Sequence, residues 1–217
     1  MQITEWVNQV NQDGFTVLHM ACTKGDLVVF IKELVKLFLM NGGNCDVRTP
    51  MGLDIVHLAA QNDFPNLIAY FSETLLDLET KDYKGLTPLH WASYMGSYHS
   101  ALILCSCRVS RNVQDNDGHT PLHLAVVGNN LRIVKLLIIK GCIKDSKDSQ
   151  GKTPIDHAIV NRFTTLVESL KSNTFMEIMG FKPNITPFAT SMWPFIILIG
   201  ALICCFILIG VFCATCN

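Results

Sequence analysis

The sequence predicts an all-α protein, built as a solenoid of five helix–turn–helix repeats followed by a single C-terminal transmembrane helix. Two observations carry this expectation. A short motif recurs five times along most of the 217 residues, and charge then stops abruptly before the final stretch. The 17 basic and 18 acidic residues all lie at or before Lys182, so that Pro183 to Asn217 carries none. A chain split in this way has a water-soluble body and an apolar tail.

The motif runs Gly-Phe-Thr-Val-Leu-His-Met-Ala from Gly14, Gly-Leu-Asp-Ile-Val-His-Leu-Ala from Gly52 and Gly-Leu-Thr-Pro-Leu-His-Trp-Ala from Gly85. It returns as Gly-His-Thr-Pro-Leu-His-Leu-Ala from Gly118 and Gly-Lys-Thr-Pro-Ile-Asp-His-Ala from Gly151. The glycines stand 38, 33, 33 and 33 residues apart. This period and motif identify an ankyrin-repeat solenoid. The repeats are read as 13–50, 51–83, 84–116, 117–149 and 150–171, after an N-terminal remnant at 1–12.

Each motif residue has a mechanical role. Glycine relieves the turn that opens the unit. Thr87, Thr120 and Thr153 stand where a helix N-cap is needed, and Pro88, Pro121 and Pro154 follow at the first helical position. A missing N–H costs nothing there, and the fixed φ of proline favours the helix. Leu89 with Ala92, and Leu122 with Ala125, share one helical face and should pack inward. In repeat four, Leu131, Val134, Leu137 and Ile138 have the spacing of a buried stripe ending at Gly141. The five extra residues of the first repeat fall within Leu27 to Asn44 and are expected to add about one helical turn.

The ends of the stack differ from its middle. Val10 to Asp13 resembles the loop leaving an earlier unit, with no obvious cap before it, so this end is expected either to fray or to derive from a longer array. Repeat five replaces the motif histidine by Asp156 and carries Arg162, Glu168 and Lys171, the polarity expected of a capping unit.

After a linker at 172–192, Trp193 to Cys213 gives 21 residues without a charge, and 214–217 form a short tail. As a helix this segment would measure about 30 Å, matching a bilayer core, with Trp193 as an interfacial anchor and Pro194 at its start. The opening Met1 to Glu5 lacks a basic region followed by an apolar core, so the ankyrin body is expected on the cytosolic face of a single-pass membrane protein. Lys182, the nearest basic residue, points the same way.

The nine cysteines show no disulfide framework, the five in the body match no zinc-ligand spacing, and their thiols in a reducing cytosol should be free. His99, Cys105 and Cys107 are better read as packing than as metal ligands, because Cys105 and Cys107 point to different sides of a helix. His19, His57, His90 and His123 occupy one motif slot. A general base has no reason to recur every 33 residues, whereas hydrogen bonds that pin successive turns do. No phosphate-binding glycine loop, metalloprotease helix or nucleophile elbow is present, so no catalytic, cofactor or metal residue is assigned. The formal net charge of -1 gives no reason to expect nucleic acid as a partner.

Binding is the chemistry that remains. Turn tips and first helices of such stacks form an extended concave face. The residue after each motif histidine opens its variable part, giving Met20, Leu58, Trp91 and Leu124, with Ser93 and Tyr94 beside the tryptophan. These six are the candidate protein-binding residues, and Trp91 is the candidate anchor. The expected partners are a protein on the concave face and membrane lipid around the C-terminal helix.

The stretches His57-Leu58-Ala59-Ala60-Gln61 through Ala69-Tyr70, and Thr87-Pro88-Leu89-His90-Trp91-Ala92-Ser93-Tyr94, are similar to the middle repeats of the ankyrin-repeat DHHC palmitoyltransferases. The resemblance extends over the repeats and on to the first span. It implies a cytosolic ankyrin domain that recruits substrate proteins to a multi-span acyltransferase, which uses palmitoyl-CoA and a zinc-binding, cysteine-rich loop. This sequence contains no Asp-His-His-Cys motif and one span, so no catalytic residue carries over. The first reading is a membrane-anchored adapter. The alternative is the N-terminal or truncated part of such an acyltransferase, and the third is a fragment of an ankyrin-bearing ion channel.

Overall fold

Threonine followed by proline starts a helix at Thr87, Thr120 and Thr153, and the computed structural model, which describes residues 8–23, 31–73, 76–107 and 109–172, shows how. The described residues contain ten helices in five pairs and no named strand. They are α1 (Val17–Thr23) with α2 (Ile31–Met40), α3 (Ile55–Gln61) with α4 (Pro65–Glu73), and α5 (Pro88–Met95) with α6 (Tyr98–Ser106). The series closes with α7 (Pro121–Val127) and α8 (Leu131–Ile139), then α9 (Pro154–Val160) and α10 (Thr164–Lys171). The linker, the predicted membrane span at 193–213 and the tail lie outside the described residues, among which no helix is long and apolar enough to cross a membrane.

Proline occupies the first turn of α5, α7 and α9, and Thr87, Thr120 and Thr153 are their N-caps in extended backbone. The sixth motif residue completes a reciprocal cap. Nδ1 of His90 accepts from the Thr87 N–H at 3.1 Å, and Nδ1 of His123 accepts from the Thr120 N–H at the same distance. In α9 the Asp156 carboxylate accepts from the Thr153 N–H at 2.8 Å and from its hydroxyl at 2.6 Å. In α3 the roles are redistributed, with Asp54 as N-cap accepting from the Val56 and His57 N–H groups.

The histidine also reaches forward one repeat. Nε2 of His57 lies 3.0 Å from the Leu86 carbonyl, that of His90 3.0 Å from the His119 carbonyl, and that of His123 3.2 Å from the Lys152 carbonyl. Nδ1 accepts a backbone N–H in His90 and His123, so Nε2 carries the proton and donates onward. One imidazole thus closes its own helix and ties it to the next turn. Asp156 ends this chain of bonds, because a carboxylate can cap its helix but has no N–H with which to reach onward.

First helices pack against first helices, α3 on α5, α5 on α7 and α7 on α9, while α6 packs on α8 and α8 on α10. Between the two layers Leu89, Ala92, Leu122 and Ala125 are fully enclosed, as their spacing predicts. The stripe of α8 differs from the expected one. Ile133, Val134, Leu136 and Leu137 are buried, whereas Leu131 and Ile138 are only partly so, because both neighbouring helix layers press on α8 and widen its apolar face. Helix α2 is ten residues against nine in α4, α6 and α8, and the preceding 24–30 lie outside the described residues. Asn8, the first described residue, is held to the loop after α2. The Asn8 side chain donates to the Gly42 carbonyl at 3.0 Å and accepts from the Asn44 N–H at 2.7 Å.

Candidate protein-binding face

The turns that open the last three repeats are built around one aspartate each, where the first two use Asn11 and Thr49. Oδ1 of Asp82 accepts from the Lys84 and Leu86 N–H groups, Oδ1 of Asp115 from Asp117 and His119, and Oδ1 of Asp148 from Gln150 and Lys152. Successive turns are joined by the Asn116 N–H to the Lys84 carbonyl and the Ser149 N–H to the Asp117 carbonyl, both at 3.0 Å. Gly118 is required where the turns touch. Its φ is +80°, and a Cβ there would lie 2.6 Å from the Ser149 nitrogen.

With Oδ1 committed to the turn, the second carboxylate oxygen faces the first helices. Oδ2 of Asp82 accepts from the Trp91 indole N–H at 3.1 Å, and the same oxygen of Asp148 meets Nε2 of His157 at 2.8 Å. Burial works against the charge of Asp148. The hydrogen bonds from His157 and from the Lys152 and Gln150 N–H groups outweigh it and hold the pKa down to about 2.

Two hollows lie side by side on this face. One, of about 540 Å³, is bordered by Met51, Tyr83, Lys84, Trp91, Tyr94 and Leu124. The other, of about 420 Å³, is bordered by Phe15, Pro50, Met51, Leu58, Gln61 and Trp91. Trp91 and Met51 belong to both. The indole packs partly on the core, is oriented by Asp82 and presents its remaining edge to the hollows, so it is at once a packed and an accessible residue.

The structure places the six candidate residues unequally. Met20 and Tyr94 are exposed at 36% and 46%, and Trp91 and Leu124 are partly buried beside the larger hollow. Leu58 is only 3% exposed and forms hollow floor instead of open surface. Ser93 is fully enclosed, two residues past Trp91 and turned toward the second-helix layer, so it offers no surface to a partner. Met51 and Tyr83, 68% and 69% exposed, were not among the six. They stand one and two residues before the turn glycines Gly52 and Gly85, and those variable turn positions were the available signal.

Four of the five described thiols are unsuited to chemistry. Cys22, Cys45, Cys105 and Cys142 are free and buried. Burial pushes Cys22 and Cys142 up to about 12 and Cys45 to about 11, which leaves no thiolate near neutral pH. The motif histidines have both ring nitrogens committed at His57, His90 and His123, as a structural role requires.

Five helix pairs pinned turn to turn, with variable residues on one face, define a repeat scaffold for recognition. A profile of ankyrin repeats (3 copies) matches residues 30–115 and 101–180, and the chain belongs to the ankyrin-repeat family. It is 26% identical to NF-kappa-B inhibitor alpha of Gallus gallus over 99 residues, covering 46% of this chain and 31% of that protein. It is 30% identical to the Sus scrofa form over 112 residues, 50% of this chain and 34% of that protein. It is 32% identical to Palmitoyltransferase AKR1 of Naumovozyma castellii over 76 residues, 33% of this chain and 10% of that protein. The chain therefore spans about a third or less of the length of these curated relatives. The last match supports the resemblance to ankyrin-repeat palmitoyltransferases.

Proposed function

We propose that this chain captures a protein partner on the face formed by its turns and first helices, and that the segment at 193–213 anchors that face to the cytosolic side of a membrane. The observation that carries the binding reading is the group of Met51, Tyr83, Trp91 and Tyr94, three aromatics and a methionine gathered around one hollow in the middle of the stack. Accessible aromatic side chains held rigidly at the centre of a surface are the residues that dominate interface energetics. The carboxylate of Asp82 fixes the indole before any partner arrives, which reduces the ordering cost of binding. Similarity to a protein named as an inhibitor of another protein supports the same reading. The anchoring half rests on the charge-free 21 residues of the tail.

The acyltransferase reading is the second. The relative that favours it is a palmitoyltransferase, and this chain would supply its substrate-recruiting repeats.

The test of the binding face uses the full chain as bait for proximity capture in cells, side by side with Trp91→Ala. The substitution should weaken capture of the retained partner by more than about 1 kcal/mol while helicity stays unchanged. A partner retained equally by both chains would remove Trp91 from the interface. Loss of helicity together with capture would assign the residue to the core.

A further inference from the structure

We propose that His119, Asp148 and His157 form a binding site for a divalent transition-metal ion, zinc foremost, between the fourth and fifth repeats. This goes beyond the protein-binding reading and stands independently of it. The three residues come from one turn, the next turn and a first helix, and their ligand atoms all lie within 4.8 Å of one another. Oδ2 of Asp148 is 2.8 Å from Nε2 of His157 and 3.7 Å from Nε2 of His119. Ligand atoms around a tetrahedral zinc at ordinary bond lengths sit about 3.3 Å apart. The two measured edges bracket that value, so small ring rotations bring all three onto one ion.

The surroundings are arranged as a metal site needs. Oδ1 of Asp148 is tied to two backbone N–H groups, which fixes the carboxylate and leaves Oδ2 as the ligand atom. Nδ1 of His119 lies 3.4 Å from Oδ2 of Asp115, the carboxylate partner that a ligating histidine uses to set its tautomer. The Asp148 side chain is 1% exposed, with His157 at 16% and His119 at 24%, so the site is shielded on the protein side and open toward the face. Two neutral imidazoles and one carboxylate supply a single negative charge and three ligands. That donor set suits zinc with water in the fourth position. His123 packs its ring against both histidines but has no nitrogen to give, since Thr120 and the Lys152 carbonyl occupy them.

The same slots hold no histidine elsewhere in the stack. His119 corresponds to Phe15, Leu53, Leu86 and Lys152, and His157 to Met20, Leu58, Trp91 and Leu124. The solenoid therefore folds without histidine at either position, and only at this junction do both slots carry a ligand beside the turn aspartate.

The full chain, purified without a histidine tag, is titrated with zinc chloride by calorimetry and with cobalt(II) as a visible-absorption probe. One ion per chain is expected, with the d–d bands of a nitrogen- and oxygen-ligated cobalt. His119→Leu and His157→Leu insert the neighbouring repeats' own residue, and each should weaken binding at least tenfold with helicity retained. Asp115→Asn keeps an acceptor oxygen for the Asp117 and His119 N–H groups but removes the carboxylate beside Nδ1 of His119, and should weaken it about tenfold or more. Absence of binding at 100-fold excess metal would overturn the site. So would unaltered affinity in both leucine variants, or a thiolate-to-cobalt charge-transfer band, either of which places the ion elsewhere.

Discussion

At the scale of single residues, the motif histidine shows how one side chain serves two contacts. The proton of the His90 ring must sit on Nε2, because Nδ1 is used as an acceptor by Thr87 and the far nitrogen donates to the His119 carbonyl. Burial pushes its pKa down to about 4, against the smaller upward pull of that carbonyl and of Asp115. Burial lowers His19 and His123 as well. An unfolded histidine titrates near about 6.5, so between there and about 4 the unfolded chain binds more protons than the folded one. The stability from neutral His90 is thus complete above about pH 6.5 and is lost as pH falls through that window, by about 3 kcal/mol in total. Urea midpoints should drop between pH 7.5 and pH 5. The drop should shrink in His90→Gln, which keeps an acceptor for Thr87 but does not titrate. A midpoint independent of pH over this range would mean that His90 is not held neutral.

At the scale of the helix pair, stability comes from two separable sources, the apolar layer and the turn. Leu122 is fully enclosed between α7, α8 and the adjoining first helices, and Leu122→Ala should cost about 2–5 kcal/mol. Gly118→Ala tests the turn alone. The new methyl group would require a left-handed backbone and would press on the nitrogen that donates to the Asp117 carbonyl. Its cost should exceed about 1 kcal/mol. Denaturant melts of both variants check this, and a neutral Gly118→Ala would show that successive turns do not touch at this point. The glycine period and the Thr-Pro starts made these pairs legible from sequence, because local rules govern turns and caps. The buried set of α8 was less legible, since how many of its residues are covered depends on the neighbouring pairs, which no local spacing reports.

At the scale of the whole molecule, the proposed function joins a recognition face to a membrane. The full chain should stay with membranes through carbonate washing, and a chain ending at Lys182 should be released. Protease added outside sealed cytosol-facing-out vesicles should digest the repeats, and complete protection of the repeats would reverse the proposed sidedness. No acyl transfer is expected from this polypeptide alone. Cys22, Cys45, Cys105 and Cys142 are buried with raised pKa, and residues 172–192 contain neither cysteine nor histidine. Incubation with labelled palmitoyl-CoA should give no hydroxylamine-sensitive adduct above a denatured control. A stoichiometric thioester lost on changing one cysteine to serine would make the chain an enzyme.

Sequence alone was enough for the repeat, its period, the helix starts and the structural role of the motif histidines, because each follows from backbone sterics and hydrogen bonding within a few residues. Tertiary structure alone decided which variable residues are accessible. Leu58 and Ser93 look equivalent to Trp91 and Tyr94 in the motif, yet neighbouring helices enclose Ser93 and reduce Leu58 to the floor of a hollow. It also decided that His119, Asp148 and His157 meet. They are 29 and 9 residues apart in sequence, and only the stacking of one turn on the next brings their ligand atoms together.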